Sequence, residues 1–156
     1  MDNENLDEYI VEPLQYNKIL VCVDDDDFIS SKGAFNYACT LAKSLAVPLG
    51  IISVMEVGDL NIFQSLSPQL IEERREQIKD HLNVYVQKAN DFGVADVKPM
   101  VSEGNPGHVI VDKVIPKYDP DLVIIGSERS DNRHGKLGSQ AEHIVRYSPV
   151  SVSVVR

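Results

Sequence analysis

Two stretches of this chain, Ile19-Leu20-Val21-Cys22-Val23 and Leu122-Val123-Ile124-Ile125, are unbroken runs of mostly branched apolar residues. Each is short, and neither alternates apolar with polar as a strand with one wet face would. Strands covered on both faces read this way, and they belong to parallel sheets enclosed by helices. Leu49 to Val57 reads as a third such strand, with Gly50 permitting close packing.

The intervening segments carry helical spacing. Ser31, Ala34, Tyr37, Ala38, Leu41, Ala42 and Leu45 predict a first helix, which Pro48 closes off. Ser67-Pro68 supplies an N-cap and a first-turn proline for a second helix. Its apolar stripe is Ile71, Ile78, Leu82, Tyr85 and Ala89, its solvated face Glu72 to Glu76, and its stop Phe92-Gly93. Val94 to Val101 predicts a weaker strand, and Pro99 assigns it to a sheet edge. Asn105-Pro106 opens a third helix that buries Val109, Ile110 and Val114 and ends before Pro116. A fourth helix is expected from about Ser139 to Arg146, and Pro149 to Val155 closes the chain as a strand.

Strand and helix thus alternate four times before a last strand, in one domain over residues 16–156, after an acidic arm at 1–15. The expected fold is α/β, a doubly wound five-stranded parallel sheet with helices on both faces. If the first two crossovers wind one way and the later two the other, the strand order is 3-2-1-4-5. The reversal then lies between the first and fourth strands, where such sheets hold ligands. Those strands end at Asp24 and Gly126.

A net charge of −9 without a basic stripe argues against a nucleic-acid partner. No apolar run approaches the roughly 20 residues that span a bilayer, and no secretory leader is evident, so a cytoplasmic protein is expected. Cys22 and Cys39 sit in apolar patterns and read as buried reduced thiols. No CxxC or HExxH spacing is present. His81, His108 and His143 fall in helices without ligand spacing and are assigned surface or capping roles.

The candidate site is the segment Gly126 to Ser139, which joins a buried strand to a helix N-terminus. Backbone N–H groups there attract phosphate. Gly138 allows close approach, Ser139 offers a hydroxyl, and Gln140 continues the first turn. Arg129, Arg133, His134 and Lys136 make the segment locally cationic in an acidic protein. Ser139-x-x-Glu142 also matches a capping box, which would satisfy the same N–H groups without a ligand. Opposite lies Asp24-Asp25-Asp26-Asp27, readable as an acidic surface turn or as oxygen ligands for Mg²⁺ beside phosphates.

These residues resemble the universal stress protein family. The first strand followed by Asp24, then Ser31, Ala34, Tyr37 and Ala38, is similar to the family's opening segment. Gly104-x-Pro106, Leu122 to Gly126, Leu137-Gly138-Ser139 and Pro149 to Val152 are similar to its later motifs. The resemblance implies an adenine nucleotide alpha hydrolase-like fold and an adenine nucleotide, ATP, as cofactor. It implies nucleotide contacts from Asp24, Gly126, Arg129, Gly138, Ser139 and Gln140, with Mg²⁺ near Asp24 and Asp26. Backbone near Ile51 and Val101 would flank the base. It also implies a homodimer through the last strand, Val150 to Val155, where Val150, Val152 and Val154 form an apolar face. ATP-binding members carry Gly-x2-Gly-x9-Gly-Ser/Thr; here the second glycine is missing near Glu128 and Arg129, and the segment is one residue short.

Other strand-ending aspartate families fit less well. Asp24-x-Asp26 is followed by Phe28 where a haloacid-dehalogenase phosphatase needs Thr or Val, and a response-regulator receiver needs an aspartate after its third strand. An EF-hand needs glutamate where Phe35 stands. No positioned base or nucleophile is legible, so a regulatory nucleotide-binding protein is expected rather than an efficient enzyme, and slow ATP hydrolysis is compatible with it. The alternative is a dimeric stress protein that acts through protein partners without nucleotide.

Overall fold

The computed structural model describes residues 5–56, 67–127 and 137–156. In chain order it contains β1 (Ile19–Cys22), α1 (Phe28–Leu45), β2 (Leu49–Met55), α2 (Pro68–Phe92) and β3 (Val97–Glu103). A helix over residues 106–118, here α3, precedes β4 (Leu122–Gly126), α4 (Ser139–Tyr147) and β5 (Ser151–Val155). The five strands are parallel in the order β3-β2-β1-β4-β5, as the pattern of crossovers predicted. Pro99 does lie in an edge strand.

The unbroken apolar runs are explained by two cores, one on each side of the sheet. Ile19, Val21, Ile51, Leu122 and Ile124 face α1 and α2. Leu20, Ile52, Val123 and Ile125 face α3 and α4. Because strand side chains alternate between faces, a strand buried twice must be apolar at every position. The start of β1 is pinned by Asp121, whose carboxylate accepts the Asn17 N–H at 2.7 Å and the Lys18 N–H at 3.0 Å. Before it, residues 5–15 hold a single 3-10 turn, Leu6–Glu8, and none of them is buried.

Four local expectations change. Helix α1 begins at Phe28, earlier than its apolar stripe, because Asp27 caps it by accepting the Ser30 N–H at 3.1 Å. Tyr37 is exposed, and Phe35 takes the buried place, edge-on to Tyr85 at 4.8 Å between ring centres. The third strand starts at Val97, later than predicted. Helix α3 runs through Pro116 to Tyr118. A proline inside an α-helix clashes with the carbonyl four residues back. Here the turn before it is π-helical over Ile110–Val114, with the Ile115 N–H bonded to Ile110 five residues back, and the wider turn accommodates the ring.

Gly50 has the packing role expected of it. A Cβ there would lie 2.6 Å from the Tyr118 ring and 2.9 Å from Met100 Cε. Gly50→Ala is expected to cost about 1–3 kcal/mol of stability through overpacking, read as a lower denaturation midpoint with unchanged m-value.

Candidate functional site

The cleft at the carboxyl ends of β1 and β4 is built from three segments. The β1–α1 turn contributes Asp24, Asp27, Ser30 and Ser31; the end of β4 contributes Ile125 and Gly126; α4 contributes Gln140, Ala141 and Ile144. Cys22, Ile52, Val54 and Ile110 complete its apolar walls. A mainly apolar cleft with a few convergent polar groups is the usual form of a small-ligand site. Ile51, expected near a bound base, faces the α1/α2 core; the β2 residues at the cleft are Ile52 and Val54, one position along.

Gly126 is fixed by packing. A Cβ on it would lie 2.7 Å from the Ser30 backbone oxygen and 2.3 Å from Ser30 Oγ. The Ser30 hydroxyl donates to the Ser127 carbonyl at 2.8 Å, so the first turn of α1 is seated on the end of β4. The helical stripe named Ser31 but missed Ser30; the glycine ending a buried strand was the available signal. Ser31 joins the turn from the other side. Its hydroxyl accepts the Asp24 N–H at 2.7 Å and lies 3.1 Å from the Asp24 carbonyl.

The four aspartates divide into separate roles. Asp24 Oδ1 accepts the Asp26 N–H at 2.9 Å, and the residue lines the cleft. Burial raises its carboxyl above the ordinary range, and the charges of Asp26, Asp27 and Asp25 add to that against the opposing Asp26 N–H bond. Asp25, with its side chain 11% exposed, is held by Arg74 at 2.7 Å and by His81 Nδ1 at 2.6 Å. Asp26 also pairs with Arg74, at 3.1 Å, and lies outside the lining of this cleft. Asp27 caps α1. Arg74 therefore leaves the solvated face expected of 72–76 and ties the turn to α2, while His81 acquires an acidic partner. Among the described residues no three acidic, histidine or cysteine side chains gather as a metal site.

At α4 the capping box does not form. Gly138 is the N-cap, without a side-chain cap bond, and Glu142 pairs with Arg146 at 3.1 Å instead. Gly138 has φ −62° and ψ 157°, a conformation open to any residue. Its lack of a side chain is therefore not demanded by the backbone. Gln140 has a role that sequence reasoning missed: its Oε1 accepts the Gly107 N–H at 2.7 Å, joining the starts of α3 and α4. A Cβ on Gly107 would sit 2.9 Å from that oxygen. His108 and His143 stack beside this joint at 4.0 Å between ring centres. Arg129, with Arg133, His134 and Lys136, lies outside the described residues. The structure thus brings Asp24, Gly126 and Gln140 to one cleft, with Gly138 and Ser139 at the helix start beside it.

Residues 15–156 match the family model described as the universal stress protein family. A Staphylococcus aureus (strain USA300) protein classed with the universal stress proteins is 29% identical over 144 residues, covering 92% of this chain and 86% of that protein. Universal stress protein UspA from Lactobacillus plantarum superposes with a TM-score of 0.78 at 25% identity, covering 92% of this chain and all of the other (100%). The Archaeoglobus fulgidus universal stress protein in complex with dAMP shares the fold with a TM-score of 0.65 at 19% identity, over 92% of this chain and 100% of that one. A universal stress protein in complex with cAMP does so with a TM-score of 0.67 at 18% identity, over 92% and 98%.

The raised Asp24 carboxyl has a sign that can be tested. The folded protein holds this proton more tightly than the unfolded chain, so the ionised side chain costs stability at neutral pH. The cost disappears as pH falls through the raised value towards the ordinary 3.8. Asp24→Asn, which keeps an Oδ1 acceptor for Asp26, is expected to melt above the parent at pH 7, with the gap closing in acid. A lower melting temperature at pH 7 contradicts this.

Proposed function

The chain belongs to the universal stress protein family, and we propose that it is a stress-response regulator binding an adenine nucleotide between Asp24 and the Gly126–Ser139 segment. The observation that carries this reading is the start of α4. Its N-cap, Gly138, offers no side chain to its first N–H groups, and it edges a cleft at the reversal of the sheet. Such a helix end is a ready anion site. The cAMP and dAMP bound by two structurally similar universal stress proteins support the ligand class.

In this reading the apolar walls, Ile52, Val54, Ile110 and Ile125, take the base. Asp24 accepts hydrogen bonds from the nucleoside hydroxyls, and Gly138, Ser139 and Gln140 present the helix N-terminus to phosphate, with Arg129 as an added cation. Gln140 would do so through its backbone, since its side-chain oxygen is engaged with Gly107. The Asp24–Asp26 pair does not fit a shared magnesium ion, because the Asp26 carboxylate is turned to Arg74. A magnesium ion carried in by phosphates would meet Asp24 alone. Among the described residues the cleft holds no nucleophile with an adjacent base, which favours a binding role over turnover.

The dimer belongs to the same proposal. β5 pairs with β4 on one side only, which leaves its other edge with unpaired backbone groups among the described residues. Val150, Val152 and Val154 pack against the chain's own α3/α4 core. Association through this strand would therefore run along its backbone edge and not across the apolar face expected from sequence.

Calorimetric titration with MgATP, AMP and cAMP tests the ligand. Saturable heat with at least one is expected, and silence at millimolar concentration for all three overturns the reading. Gly138→Val is expected to remove the heat while leaving the thermal melt within a few degrees, since its backbone conformation accepts a side chain. Light scattering at micromolar concentration should give a dimer mass; a monomer argues against the β5 contact.

A further inference from the structure

On the outer side of the α1/α2 layer lies a groove of about 800 Å³, floored by Phe35 and Tyr85 and edged by Phe28, Val84 and Phe92. Phe28, Val84 and Phe92 are 62%, 51% and 47% exposed. The groove shares Asp24 with the nucleotide cleft, but its rings line neither that cleft nor the β5 edge, so none of them serves the reading given above. Lys32 and Lys88 stand on its walls. Its one acidic end, Asp24 and Asp25, is partly neutralised, because Asp25 is held by Arg74 and His81.

The N-terminal arm has the complementary character. Leu6, Ile10, Val11 and Leu14 are 77–83% exposed and Tyr9 is 61% exposed. Asp7, Glu8 and Glu12 are interleaved with them. So dense a set of large apolar side chains with no cover among the described residues marks a segment made to be covered by something else. The arm leaves the domain at Tyr16, which packs against the α1/α2 core, the same layer that carries the groove.

We propose that the groove between α1 and α2 receives the N-terminal arm of a second copy of this chain, its apolar side chains on Phe28, Phe35, Val84 and Phe92 and its carboxylates on Lys32 and Lys88. The arm of each chain stays clear of its own body, so the cover it provides goes to a partner, and reciprocal exchange closes a two-fold pair. The rings and lysines of this contact take no part in the proposed nucleotide site or the β5 edge. Extended, the nine residues from Leu6 to Leu14 reach about 30 Å at 3.3 Å each. The α1 segment along the groove, Phe28 to Thr40, is about 18 Å at 1.5 Å per residue, so the arm is long enough to fill it.

Disulfide trapping between two differently substituted full-length chains tests this. One carries Tyr9→Cys in the arm and the other Val84→Cys on the groove wall, both at exposed positions. The native thiols stay protonated in the experiment, since burial pushes Cys22 up to about 12 and Cys39 to about 11. On mild oxidation of the mixture, the Tyr9–Val84 heterodisulfide should exceed either homodisulfide several-fold. Adding Lys32→Glu and Lys88→Glu to the groove chain should reduce it several-fold. Random pairing, absence of the heterodisulfide, or a link formed within one chain when both cysteines are placed together would overturn the proposal; the last would mean that the arm folds onto its own domain.

Discussion

The cleft depends on how closely α1 is set onto the end of β4. A helix turn touches a strand end at this distance only where the strand residue has no side chain, and Gly126 provides that position. The Ser30–Ser127 hydrogen bond then fixes the depth of the seat. Everything on the β1 side of the site follows from it. Asp24 is presented beside β4, Ser31 closes the turn behind Asp24, and the aspartates beyond are delivered to α2. A glycine that resembles part of a phosphate-binding signature is, in this chain, first a packing requirement.

The acidic turn shows how a concentration of like charge is kept in a folded protein. Three of its four carboxylates have a partner beyond the turn: Arg74 and His81 on Asp25, Arg74 on Asp26, and the first turn of α1 on Asp27. Among the described residues the Asp24 carboxylate has one hydrogen-bond donor, the Asp26 N–H, and burial disfavours its charged form. Asp24 thus lines the ligand cleft with its charged form disfavoured by burial, a common arrangement at binding sites.

Strand order and the two-core plan were legible because they rest on run length and helical period, which single residues report. The start of α1 was not, because Asp27 looked like one more member of an acidic run until its carboxylate was seen to cap a helix. Pro116 misled for a related reason: its ring excludes an α-turn, and sequence gives no direct sign that a π-turn will take its place. At the site, Asp24 and Gly126 could be read from their places at strand ends. The link from Gln140 to Gly107 could not, since it joins residues 33 apart that only the fold brings together. The capping box failed for a local reason, the helix starting one residue earlier than the motif requires, with Gly138 in place of Ser139 as N-cap.

The π-turn in α3 has a consequence for how this helix tolerates change. A π-turn is equivalent to one residue inserted into an α-helix, and each residue advances the helix by about 100°. Residues beyond Val114 are therefore out of angular phase with those before it, and Tyr118 reaches the notch at Gly50 only because of that offset. Losing one residue between Ile110 and Val114 would restore regular helical geometry with the tyrosine still facing Gly50, but would place Pro116 in an α-turn that its ring does not fit. For this helix, the cost of a one-residue deletion falls on Pro116 and not on the mesh between Tyr118 and β2.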